Sequence, residues 1–147
     1  MQYTSLLDSR NGIAHDELNP HQDVTLQTDL PGCAVTSMNL ATFEICKLPD
    51  TDQPDYLLIV LKDPCVHIET VHRWQNSVIH PIARISLCGR QLERFYPMTV
   101  KLHCCKVPTL RMSILRPDHS AYQLGPHHWN CTWVFTLKDV APILMCC

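Results

Sequence analysis

Glycine is scarce in this sequence, with four residues in 147. A phosphate-cradling loop, a dinucleotide-binding turn and a nucleophile elbow all need glycine where the backbone must approach a ligand or take φ > 0. Gly-x-Gly-x-x-Gly, Gly-x-Ser-x-Gly, the P-loop and His-Glu-x-x-His are all absent. Cys-x-x-Cys is absent as well, which removes the commonest zinc and thioredoxin-like spacings. No apolar run approaches the ~20 residues that span a bilayer as a helix. Met1 to Asp8 carries no basic segment and no long apolar stretch, so no secretory signal is expected. At 18% charged residues the chain is too weakly charged for a solvated disordered tail. These absences predict a single domain with no enzymatic activity and no bound cofactor.

Cysteine is plentiful by contrast. Nine occur, an odd number, with adjacent pairs at Cys104-Cys105 and Cys146-Cys147. Neighbouring cysteines suit disulfide geometry poorly, because bridged Cα atoms prefer to lie about 5.5 Å apart. Most of these thiols are therefore expected to be reduced and to fill the core as small apolar groups. That predicts a reducing compartment inside a cell, or the interior of a virion. The Asn130-Cys131-Thr132 sequon and the terminal Cys146-Cys147 are read as chance, without glycosylation or lipidation.

The net charge of -2 hides an asymmetry. Residues 1–55 hold nine acidic side chains against Arg10 and Lys47, whereas residues 56–147 hold ten basic and five acidic ones. Between Arg73 and Arg116 there are eight bases and a single acid, Glu93. Such a surplus either attracts an anionic partner or is neutralised when the acidic third folds against it.

Two-residue alternation is the dominant pattern. Cys131, Trp133, Phe135 and Leu137 share one face, as do Met98, Val100, Leu102 and Cys104. Leu110, Met112 and Ile114 form a third such set, Ala83, Ile85 and Leu87 a fourth, and Ala41, Phe43 and Ile45 a fifth. Tyr56 to Leu61 is apolar on both faces and predicts a strand covered on each side. Val66 to Thr70 and Val24 to Leu30 complete about eight strand candidates. Pro49, Pro54, Pro64, Pro81, Pro97, Pro108, Pro117 and Pro126 fall between these runs, where a missing N–H costs no ladder bond. Trp74 to Ser77 predicts a turn or a single helical turn. The expected fold is an all-β, antiparallel β-sandwich over residues 23–147, jelly-roll-like or immunoglobulin-like, preceded by an irregular N-terminal arm over residues 1–22.

Few side chains stand out as chemistry. His103 and Cys105 on one strand, with His127 and His128 before the last, offer nitrogen and sulfur ligands for zinc if those strands are neighbours. The alternative is surface histidines and core cysteines. Asp50, Asp52 and Asp55 lie between prolines and read as a solvated loop. Trp129 is either an exposed interface anchor or a cap on the core. Arg84, Arg90 and Arg94 are the bases on which a nucleic-acid surface would rest.

The sequence as a whole predicts a protein that binds another protein or itself, through an exposed sheet edge or the N-terminal arm. A structural or accessory component of a larger assembly fits this, and on composition alone a small viral accessory or virion-associated protein. A zinc-stabilised module, or a nucleic-acid binder using the basic 73–116 region, is the alternative.

Overall fold

The period-2 pattern is realised as antiparallel sheet. The computed structural model describes residues 1–30, 35–49, 53–62, 66–88, 91–95, 98–100 and 107–137. The eight expected strands are all present: β3 (Asp23–Gln27), β4 (Val35–Ile45), β5 (Tyr56–Leu61), β6 (Val66–Ile68), β9 (Ala83–Ser86), β11 (Met98–Val100), β12 (Thr109–Leu115) and β13 (Trp129–Leu137). Five more join them: β1 (Gln2–Asp8), β2 (Ile13–Ala14), β7 (His72–Trp74), β8 (Ser77–Ile79) and β10 (Leu92–Arg94). The helical element among the described residues is a single 3-10 turn, Ser9–Asn11.

One sheet runs β1-β13-β4-β11-β6, a second runs β10-β9-β5-β12-β3-β2, and β7 pairs with β8 as a separate hairpin. The two large sheets contribute to one hydrophobic core. Trp133, Phe135 and Leu40 from the first sheet and Leu57, Ile59, Leu110, Met112 and Ile114 from the second are all essentially inaccessible. Leu58 is buried too, so β5 is covered on both faces, as its composition requires. Cys131 lies in this core, and burial pushes its thiol up to about 12. Cys46 and Cys88 are exposed.

β4 departs from simple alternation. Thr132 pairs with Thr42 but Trp133 with Leu40, and Thr136 pairs with Ser37 but Leu137 with Val35. Ala41 and Thr36 are thus extra residues in two β-bulges, each of which shifts the inward parity by one. Val35, Met38, Leu40, Phe43 and Ile45 are consequently all buried. Ala41, expected to point inward, is the half-buried bulge residue instead, and Leu40 takes its place.

Residues 1–22 differ from the expected irregular arm. β1 forms a continuous antiparallel ladder with β13, from Gln2 opposite Thr136 to Asp8 opposite Asn130. The loop that follows is anchored by buried amides: Asn19 Nδ2 donates to the Tyr122 carbonyl at 2.9 Å, and its Oδ1 accepts from the Leu124 N–H at 3.2 Å. Gln22 Nε2 donates to the Ile114 carbonyl at 3.0 Å. Only Leu7 of β1 is a buried apolar residue, so the strand leaves almost no hydrophobic signature.

The acidic third meets the basic part at Asp23. Arg111 Nε donates to Oδ1 at 3.0 Å and Nη2 to Oδ2 at 2.7 Å, while Lys62 Nζ lies 3.3 Å from Oδ2. Burial alone would raise the Asp23 carboxyl, but Arg111 and then Lys62 outweigh it and hold the group below its ordinary value. The stability it contributes is therefore complete above the unfolded-state carboxylate range and is lost as pH falls through the folded value. Asp23→Asn is expected to destabilise the fold by about 1–2 kcal/mol, a value moderated by the half-exposed cations. Urea unfolding across the acid range should show a shallower loss of stability in the variant than in the native chain. Peptide-level thiol labelling should modify Cys46 and Cys88 in the native state and Cys131 only after unfolding.

Candidate functional site

The open edges of the two sheets meet beside β1. Among the described residues β1 is paired on one side only, by β13, and the two-residue β2 pairs with β3 at Thr25 and Val24 alone. Beyond β2, Leu26 and Gln27 of β3 face β1 across a groove of about 380 Å³. Its walls include Leu6, Leu7 and Asp8 on one side and Ile13, Leu26 and Gln27 on the other. Ser5 Oγ donates to the Thr28 carbonyl at 2.9 Å, tying the two edges together. Leu6 and Ile13 stand 79% and 69% exposed at this groove, and Leu18, in the loop after β2, is 94% exposed.

Asp8 and Gly12 set the shape of that corner. Asp8 caps the 3-10 turn, accepting the Arg10 N–H at 2.9 Å and the Arg10 guanidinium at 3.0 and 2.7 Å. The Arg10 bond holds its carboxyl at about 2. A Cβ on Gly12 would lie 2.3 Å from Val24 Cγ1 and 2.8 Å from the Thr25 carbonyl oxygen. Glycine is required here by close approach of the turn to β3.

Trp129 belongs to the core. Its side chain is completely buried, stacks on Phe43 with ring centroids 4.9 Å apart, and donates from Nε1 to the His21 carbonyl at 2.6 Å. It is the cap and not an exposed anchor. Its backbone N–H donates to Ser9 Oγ at 3.0 Å, and Ser9 Oγ lies 2.8 Å from His21 Nδ1. Ser9 Oγ keeps a second lone pair as well as its proton, so it can pair with His21 Nδ1 in either tautomer of the neutral ring. Burial, followed by the nearby His128, lowers the His21 pKa and keeps the ring in that neutral form.

The proposed zinc ligands are only partly within view. His103 and Cys105 lie outside the described residues. His127 and His128 are half-buried, and the His128 ring sits edge-on to His21 with centroids 6.3 Å apart. Among the described residues no three His, Cys, Asp or Glu side chains are grouped as a metal site would require. Of the three arginines, Arg90 lies outside the described residues. Arg84 pairs with Glu93, while Arg94 is opposite Ala83 on the other face of the same ladder. Arg84 and Arg94 therefore do not form one basic patch, and Arg111 and Lys62 are taken up by Asp23.

A polar cluster that sequence reasoning missed lies on β5 and the β7–β8 hairpin. Tyr56 Oη is 3.0 Å from His72 Nε2, His72 Nδ1 is 2.8 Å from His119 Nε2, and His119 Nδ1 is 2.6 Å from Ser77 Oγ. The Arg84 guanidinium sits over the Tyr56 ring, 5.3 Å from its centroid. Burial, then His119 and Arg84, lower the His72 pKa and favour its neutral form. His119 occupies a left-handed backbone position, φ 72°, in the tight loop after β12. There the His119 N–H donates to the Arg116 carbonyl at 2.9 Å and the Arg116 N–H to the Ser120 carbonyl at 2.8 Å. Pro117 opens this loop, and glycine is the usual occupant of such a left-handed position. An imidazole where glycine is expected was the one sequence signal available; the spacing of Tyr56, His72, Ser77 and His119 carries none.

The chain matches no protein-family model and no curated sequence.

Gly12→Ala is expected to cost about 1–3 kcal/mol, because Val24, Leu26 and the β3 backbone must all give way. Thermal unfolding should show this loss, and Asn11→Ala, in the exposed part of the same turn, should leave the transition nearly unchanged.

Proposed function

We propose that the protein works by binding another protein, as an interaction or structural component of a larger assembly, and that the contact is made along the open edges of β1 and β3. The observation that supports this is the pair Leu6 and Ile13, exposed on either side of a groove whose walls are strand edges that lack a ladder partner among the described residues. A strand edge offers a row of backbone donors and acceptors, and proteins that do not use such an edge usually protect it with charge, proline or a bulge. β1, with the sequence Gln-Tyr-Thr-Ser-Leu-Leu-Asp, has no lysine, arginine or proline. An extended polypeptide segment is the occupant that fits: its main chain would extend the ladder and its alternate apolar side chains would meet Leu6 and Ile13. On composition alone, a small viral accessory or virion-associated protein fits this reading.

The test compares the native chain with Leu6→Arg/Ile13→Arg. Analytical ultracentrifugation across micromolar concentrations and crosslinked pull-down from native material should show association by the native chain. The double variant should weaken it at least tenfold while its thermal unfolding stays within a few degrees of the native value. A native chain that stays monomeric and recovers the same proteins as the double variant overturns the proposal.

A further inference from the structure

The geometry points to Ser77 as a reactive serine, activated by His119 and able to take an acyl group from a small aryl ester. This goes beyond the edge contact, involves other residues, and stands or falls independently of it.

The hydrogen bonds form an unbroken series, Ser77–His119–His72–Tyr56. For Ser77 to act as nucleophile, its hydroxyl must donate to His119 Nδ1. His119 then carries its proton on Nε2 and donates to His72 Nδ1, and His72 donates from Nε2 to the Tyr56 oxygen. Each link has one donor and one acceptor, so the protonation state that suits attack is one the network satisfies. Nucleophile, base and orienting group are the three parts a covalent catalyst needs within hydrogen-bonding reach. Here His119 is the base, and His72 and Tyr56 are positioning residues. When His119 takes the serine proton, the imidazolium donates to neutral His72, which spreads the charge. Arg84 beside Tyr56 is countered by Glu93 and not left as a free opposing cation.

Ser77 is solvent-exposed, so a substrate can reach it. Its cross-strand partner in the hairpin is Trp74, which is 45% exposed and on the same face. An aromatic surface beside the hydroxyl favours an apolar or aromatic group, hence the substrate class. In the step itself, the Ser77 Oγ–acyl carbon bond forms and the ester carbon–oxygen bond to the aryl group breaks. The hydroxyl proton moves to His119 Nδ1 and then to the departing phenolate. No oxidant or further reactant is required.

The His119 backbone is left-handed, at φ 72°. Held there, an L-residue with a Cβ is strained relative to glycine. The side chain it carries is hydrogen-bonded at both ring nitrogens.

The test uses the full chain with a fluorophosphonate, which spares the exposed thiols Cys46 and Cys88, and with p-nitrophenyl acetate as the aryl ester. Peptide mapping should place the phosphonyl adduct and the acetyl group on Ser77. Ser77→Ala should abolish both. His119→Asn retains a residue that tolerates the left-handed position and removes the base, and it should slow labelling at least 100-fold. Circular dichroism checks that this variant is folded. Labelling by the native chain should fall as the pH is lowered, and Tyr56→Phe should change that pH profile without abolishing the adduct. No Ser77 adduct on the native chain, or equal rates for native and His119→Asn, overturns the assignment.

Discussion

The burial of one face of β13 is the interaction on which the rest of the molecule depends. Trp129, Cys131, Trp133, Phe135 and Leu137 are each no more than 3% exposed. Full burial of a large apolar side chain contributes about 1.5–3 kcal/mol, so this one strand supplies a large part of the driving force for a domain whose net stability is itself only about 5–15 kcal/mol. β13 lies between β1 and β4 and fixes both. Because its alternation is strict, a slip of one residue would turn every large side chain out to water, and the register of its neighbours is fixed with it. The bulges in β4 follow from that constraint. β13 cannot shift, so β4 accommodates the mismatch with two extra residues, Thr36 and Ala41.

The same dependence explains which strands could be recognised in the amino-acid pattern. β13, β12 and β5 lie inside sheets, where one or both faces are buried, and burial is what writes hydrophobic periodicity into a sequence. β1, β2 and β10 are sheet edges, and β7–β8 is a hairpin apart from both sheets. Their side chains are mostly exposed, so residue type is weakly constrained and the pattern disappears. β1 is a strand because Gln2 to Asp8 can complete the ladder of β13, a long-range cause that no local window contains. The arm expected over residues 1–22 was inferred from polarity, but here polarity reflects exposure at an edge and also the buried amides of Asn19 and Gln22, which replace apolar anchoring with hydrogen bonds.

Charge and chemistry were legible to different degrees. The split between an acidic first third and a basic remainder is realised at Asp23, where one buried carboxylate takes up Arg111 and Lys62 together. That is the internal neutralisation the asymmetry allowed, and it occupies Arg111, one of the bases of the 73–116 region on which a nucleic-acid surface would draw. Trp129 was ambiguous in the sequence because an interface anchor and a core cap have the same residue type and flanks; stacking on Phe43 decides it. The serine–histidine series was scarcely legible, since Tyr56 on β5 and His119 after β12 are joined only through His72 of the β7–β8 hairpin.

The scarcity of glycine takes on a different meaning once the backbone is considered. Asp29, Gln75 and His119 all have positive φ, at 53°, 51° and 72°. A chain poor in glycine must make such turns with ordinary residues and accept the strain, and strained residues of this kind tend to cluster where a structure has a task. Here all three border the groove between β1 and β3 or the Ser77–His119 cluster. Asp29 lines the groove between β1 and β3, Gln75 makes the turn that presents Ser77, and His119 is the base. Lack of glycine had argued against loops that deliver a catalytic group through bare backbone. The same lack is what places an imidazole, with two usable nitrogens, at the position in a tight hairpin loop where glycine would have placed nothing.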